Sequence, residues 1–219
     1  MKATDNEGHR VSRQEGVVKY RVDYMEVAID PAWIQSLNAW RRIVFLLGGI
    51  GRDPARYGGY GFGNISCRLP DASEAFIITG TQTGHLARLN ADHYVVVRAC
   101  DPTRNRLVAE GPIRPSSEAL THGMVYRSAT KINAVIHVHS PEIWHRAKQL
   151  SLPSTGAQVA YGTPEMALET ERLFRDTTVA QRGAFAMAGH EDGVVTFGAS
   201  VAEAGLLFVE ILAQAMASY

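Results

Sequence analysis

The residues best suited to chemistry lie in one short run, Ala134-Val135-Ile136-His137-Val138-His139. Read as a β-strand, the run turns Val135, His137 and His139 to one face and Ala134, Ile136 and Val138 to the other. Same-face neighbours stand about 6–7 Å apart, so both imidazoles can converge on one metal ion through bonds of about 2.0–2.1 Å. The same spacing suits two histidines hydrogen-bonded at a strand end, and the pair alone leaves that choice open. Other stretches offer polar groups. Pro115-Ser116-Ser117-Glu118 sets two hydroxyls and a carboxylate at the start of a helical pattern, either as plain N-caps or as an anion site built from free N–H groups. The glycine-rich runs Tyr57–Gly63, which leads into Asn64, and Gly80-Thr81-Gln82-Thr83-Gly84 bring backbone N–H groups within reach of an anion. The first lacks a Walker lysine and the Rossmann glycine spacing, and the second reads equally well as an ordinary turn. His190 sits in Gly189-His190-Glu191-Asp192-Gly193, a bend between two apolar runs, as a structural histidine or a ligand.

These residues need elements to hold them. Asp30-Pro31 supplies an N-cap and a proline at the first helical position, and Trp33, Leu37, Trp40, Val44 and Leu47 then form a helical stripe that Gly48-Gly49 ends. Strands are expected at 64–69, 76–79, 94–99 and 106–109, the last two joined by the short Asp101–Asn105 turn and therefore antiparallel. A helix with Leu120, Met124 and Val125 inward follows Glu118. Ser140-Pro141 opens a helix expected to run through Lys148, and Thr163-Pro164-Glu165 caps another to about Asp176. Apolar strands around 185–187 and 194–197 flank His190. Ser200-Val201-Ala202-Glu203 has the capping-box form and begins a C-terminal helix that is apolar over a wide arc.

With 219 residues, 46% hydrophobic and 20 of them glycine, the chain suits one α/β domain, expected over 17–219 behind a polar, flexible leader at 1–16. Its 22 Lys and Arg balance 22 Asp and Glu, which gives no global field toward nucleic acid or an acidic membrane. A small-molecule ligand is expected instead. Cys67 and Cys100 stand far apart in no paired motif, which fits a reducing cytoplasm. No apolar run of about 18 residues is present to span a bilayer.

Taken in order, Gly63-Asn64-Ile65-Ser66, Thr81-Gln82-Thr83-Gly84, Pro115-Ser116-Ser117-Glu118 and His137-Val138-His139 resemble the markers of the class II aldolase/adducin family, within it the L-fuculose-1-phosphate aldolase type. The resemblance covers about residues 30–215. It implies a three-layer α/β/α fold with a central, mainly antiparallel sheet, assembled as a homotetramer with active sites between subunits. It further implies Zn2+ or another divalent metal on His137, His139 and His190, Glu118 as general base, and Asn64, Thr83, Gly84, Ser116 and Ser117 around a substrate phosphate. The activity it implies is reversible cleavage of a ketose 1-phosphate or related sugar phosphate to dihydroxyacetone phosphate and an aldehyde. Epimerases, a dehydratase and decarboxylases of the same family are the alternatives, with His122, His145, Tyr161 and Tyr219 as further acid–base candidates; an adducin-like binding module is the non-enzymatic one. The chain departs from the pattern twice. Glu191-Asp192 intervene between His190 and Gly193, which makes Glu191 a rival third ligand, and Gln82 stands where the family has proline.

Overall fold

The computed structural model describes residues 19–69 and 74–217, so the expected leader and Tyr219 lie outside the described residues. In chain order the elements begin β1 (Arg21–Met25), α1 (Gln35–Leu46), β2 (Gly51–Arg52), β3 (Gly61–Phe62), β4 (Asn64–Arg68), β5 (Phe76–Thr79), β6 (Tyr94–Asp101) and β7 (Arg106–Glu110). They continue α2 (Ala119–Ser128), β8 (Ala134–His139), α3 (Pro141–Trp144), α4 (Pro164–Asp176), α5 (Val179–Arg182), β9 (Ala184–Ala186), β10 (Gly193–Gly198) and α6 (Val201–Ala217). Eight strands form one sheet in the order β1-β7-β6-β5-β4-β8-β10-β9, and β2 pairs with β3 in a separate short ribbon. Neighbours in the large sheet run antiparallel except β1 with β7, which are parallel.

Alternation along β8 divides the core. Ala134, Ile136 and Val138 join Leu37 and Val44 of α1 and Phe208 and Ile211 of α6 in one apolar layer. Val135 joins Leu120 and Val125 of α2 and Met166 and Leu173 of α4 in the other. The two histidines therefore face the α2–α4 side. All six residues of β8 are buried, as a strand covered by helices on both faces must be.

Several expectations shift by local physics. The first helix starts as a 3-10 turn over Pro31–Ile34, with the Asp30 carboxylate accepting the Ala32 N–H, before α1 proper. Its inward stripe is Leu37, Arg41 and Val44, while Trp33 and Leu47 of the expected stripe remain exposed. The helix expected from Ser140 through Lys148 stops at Trp144. Beyond it the N–H groups of Arg146 and Ala147 bond three residues back, to Ile143 and Trp144, and the chain tightens into successive turns. Strand β1 lies outside the expected elements: it is a half-exposed edge held by a ladder to β7, a partner far along the chain. The C-terminal helix keeps the Ser200 cap, with Glu203 N–H on Ser200 Oγ at 3.1 Å, while the Glu203 carboxylate reaches one residue further and accepts Ala199 N–H at 2.8 Å.

Candidate metal and substrate site

Strand register decides which side chains meet. On β8, His137 lies opposite Asn64 of β4 and Val195 of β10, and His139 lies opposite Gly193. Because β10 follows the bend that carries His190, pairing Gly193 with His139 folds His190 back over the strand histidines. One ligand atom from each of His137, His139 and His190 lies within 4.8 Å of the others. All three residues are at most 3% exposed. The intervening Glu191 and Asp192 are absorbed in a tight turn, in which the His190 carbonyl accepts the Gly193 N–H at 2.9 Å and Asp192 adopts a φ of 61°. Glu191 is exposed and stands outside the histidine cluster.

Glu118 approaches from α2, where it occupies the N-cap position and is 2% exposed. Its Oε2 lies 2.9 Å from His137 Nε2 and accepts Asn64 Nδ2–H at 2.8 Å; its Oε1 lies 3.1 Å from His190 Nδ1. Burial alone would push this carboxyl up, but the imidazoles of His137 and His190 outweigh it and hold it well below the usual carboxylate range. Burial, reinforced by the neighbouring His190 and His137 rings, holds His139 well below the ordinary histidine value. His139 is therefore neutral at pH 7, the form that binds metal. His137 Nδ1 lies 3.2 Å from the Val194 carbonyl, a contact that orients the ring so that Nε2 is directed toward Glu118 and the other rings. Three buried imidazole nitrogens, with a fourth position left for water or substrate, match the donor set of a catalytic zinc centre. The residues present fit a divalent cation.

Asn64, Thr83, Gly84, Ser116, Ser117 and Glu118 line one small cavity beside the histidines. The five residues expected around a phosphate thus converge with the expected base, although they come from three distant stretches. Asn64 and Thr83 differ from the rest: the Asn64 amide N–H is committed to the Glu118 carboxylate, and the Thr83 hydroxyl donates to the Gly80 carbonyl at 2.9 Å. Gly84 is required by close approach: a Cβ there would sit 2.6 Å from the Gly51 carbonyl oxygen. Ser116 and Ser117 do not cap α2 as expected; they precede Glu118, whose N–H reaches Ser116 Oγ at 3.5 Å.

Two supports of this cavity escape a pattern-based reading. Arg41 is 1% exposed and donates to the carbonyls of Thr83 at 3.0 Å, Gly84 at 3.1 Å and Leu86. Burial lowers its pKa to about 10, which leaves it cationic at neutral pH. The available signal was its place on the buried stripe, one helical turn after Leu37. Tyr20, just before β1, donates its hydroxyl to the carbonyls of Pro115 at 2.9 Å and Ser116 at 3.0 Å.

Gln82 adopts a φ of 57°, which proline, locked near −65°, cannot reach. The turn therefore differs in conformation from one with proline at this position. Gln82→Pro is expected to destabilise the chain by more than about 1 kcal/mol, read as a lower midpoint in urea unfolding.

The further acid–base candidates separate. His122 is fully buried, hydrogen-bonds through Nδ1 with Ser66 Oγ at 2.7 Å, and is lowered to about 3, chiefly by burial. It is neutral at pH 7. Tyr161 stacks on the His190 ring at 4.6 Å between centroids, while exposed His145 packs against Trp144. A larger cavity of about 620 Å³, lined in part by Arg68, Cys100 and Arg127, contains none of the expected site residues.

With an eight-stranded α/β/α sheet, a buried histidine trio and a glutamate beside a glycine-and-hydroxyl cavity, the chain has the architecture of a class II aldolase. The model of the Class II Aldolase and Adducin N-terminal domain matches residues 55–218, and the chain belongs to that family. This family is typically divalent-metal dependent and acts on phosphorylated sugars. Among curated relatives, a methylthioribulose-1-phosphate dehydratase of Sorangium cellulosum is 40% identical over 78 residues, 36% of this chain and 34% of the relative. The match therefore spans about a third of that relative's length. Among solved structures, an L-fuculose 1-phosphate aldolase superposes with a TM-score of 0.63 at 19% identity, covering 88% of this chain and 86% of the other. The L-fuculose-1-phosphate aldolase of Thermus thermophilus gives 0.58 at 21% identity, covering 82% and 88%. At these identities the superpositions show the shared fold.

Proposed function

We propose that this chain is a divalent-metal lyase that removes a proton beside the carbonyl of a phosphorylated ketose and then expels water. The observation that carries the reading is the buried Glu118 carboxylate, which touches two of the three clustered histidines and opens onto the anion cavity. His137, His139 and His190 would hold zinc or another divalent cation, which when bound supplies Lewis-acid polarisation of the ketone and offsets charge developing on its oxygen. Glu118 acts as general base: it is ionised, buried and held in orientation by the Asn64 amide. The hydroxyls of Ser116 and Ser117 and the backbone N–H groups of the Thr83-Gly84 turn bind the substrate phosphate, leaving the carbonyl end to face Glu118.

Loss of water is favoured by the dehydratase named in the local 40% match. Aldol cleavage to dihydroxyacetone phosphate and an aldehyde is the second reading, supported by the four ordered motifs that resemble the aldolase type. Both begin with charge developing on the same carbonyl oxygen, and they differ in which bond beside it breaks. A scaffold role has no use for a buried carboxylate among three imidazoles. Assembly as a homotetramer with sites between subunits completes the reading; exposed Ile43, Leu46, Leu206 and Val209 on α1 and α6 offer apolar surface for such contact. No helix among the described residues is long and apolar enough to cross a membrane. Free Cys67 and Cys100 accord with a cytoplasmic location.

The test is to incubate zinc-loaded protein with a panel of ketose 1-phosphates and to follow products by mass spectrometry and NMR. Dehydration yields a product lighter by one water, and aldol cleavage yields dihydroxyacetone phosphate. Metal-loaded protein that produces neither across the panel would overturn the lyase reading.

A further inference from the structure

We propose that Asp192, Arg56 and Tyr57 form a latch that holds the 53–60 loop over His139 and thereby positions the metal centre, an inference that rests on the metal-site reading above. Asp192 is one of the two residues that separate His190 from Gly193, and its side chain is 2% exposed. Its carboxylate accepts the Tyr57 hydroxyl at 2.6 Å and pairs with the Arg56 guanidinium. Its backbone carbonyl accepts the N–H of Ser140, the residue after His139, at 2.9 Å. One residue thus joins the His190 turn, the end of β8 and the glycine-rich loop.

The loop side is built to match. The Arg56 guanidinium lies 4.8 Å over the Tyr57 ring, and the edge of that ring meets His139 with centroids 4.4 Å apart at 76°. Phe62, in β3, packs on the same imidazole at 5.1 Å. His139 is therefore walled by two aromatic rings, and the loop that carries one of them, Tyr57, is tied down through Asp192. Backbone strain marks the loop end of the contact: Tyr57 has a φ of 50°, a region that bulky side chains avoid. Such strain persists where surrounding contacts over-determine it, and here Tyr57 is held by Asp192, whose own φ of 61° is one that aspartate adopts readily.

The latch predicts that loop order and metal retention fall together. Asp192→Gly removes the carboxylate at a φ that glycine tolerates, and the double variant Arg56→Ala with Tyr57→Phe breaks the contact from the loop side without touching the His190 turn. Hydrogen–deuterium exchange on metal-free protein should show residues 53–60 exchanging about tenfold faster or more in both variants. Glu191→Ala, next to the latch, should leave exchange as in the parent chain. On zinc-loaded protein, a chelator should strip the metal about tenfold faster or more from both latch variants. Unchanged loop exchange in the double variant would overturn the latch. Faster exchange with zinc release at the parent rate would overturn its role in positioning the centre. A parent chain that takes up no zinc would overturn the metal-site reading instead, and exchange alone would then decide whether the loop is latched.

Discussion

A Glu118→Gln chain is expected to keep its fold and its metal and to lose about 10²- to 10⁴-fold in kcat, with a smaller change in KM. The amide preserves the shape of the side chain but offers neither negative charge nor a basic oxygen to a substrate proton. Asn64 and Ser116, which contact Glu118 in the structure, keep the remaining cavity in place, so the loss should fall on the chemical step. Steady-state kinetics check the magnitude. Deuterium incorporation from heavy water checks the role, because a base that removes a carbon-bound proton exchanges it with solvent. A variant within about threefold of the parent rate would show that another group takes the proton.

The second large effect concerns the trio. In His139→Ala, zinc content is expected to fall from about one ion per chain to below about 0.1 after dialysis, and activity to fall with it. Two imidazoles alone rarely hold a divalent ion against dilution, and His139 cannot be replaced by exposed Glu191, which lies outside the cluster. Elemental analysis measures the metal, and circular dichroism separates ligand loss from unfolding. Full zinc occupancy in a folded His139→Ala chain would exclude the proposed ligand set.

Much of this site is legible in the sequence because its parts are local. The two-residue spacing of His137 and His139 carries its meaning within a single strand, and the short Asp101–Asn105 turn forces β6 and β7 to pair antiparallel. The cavity motifs are each recognisable locally, as a glycine loop entering a strand, a turn and a helix start, and the fold supplies their convergence. What stays hidden depends on partners far along the chain. Strand β1 is specified by its ladder with β7 rather than by its own half-exposed pattern. The helix begun at Ser140 carries no breaker to announce its end at Trp144. Asp192 looks like an interruption between a ligand and a strand, and its function becomes visible only when Arg56 and Tyr57 arrive beside it. Arg41 shares the inward stripe of α1, and its role shows only once its carbonyl acceptors are known.

That arginine bears on how such an enzyme changes substrates. Arg41 grips the Thr83, Gly84 and Leu86 segment through main-chain oxygens alone, and every amino acid provides those. Arg41's hold is thus indifferent to the side chains the turn displays, although Gly84 itself is fixed by its close approach to the Gly51 carbonyl. A residue such as Thr83, which lines the cavity, can drift and sample new ligands while the backbone it rides on stays anchored. The result is a division of labour between a fixed mount and an exchangeable reading head, which would let one scaffold serve many phosphorylated sugars.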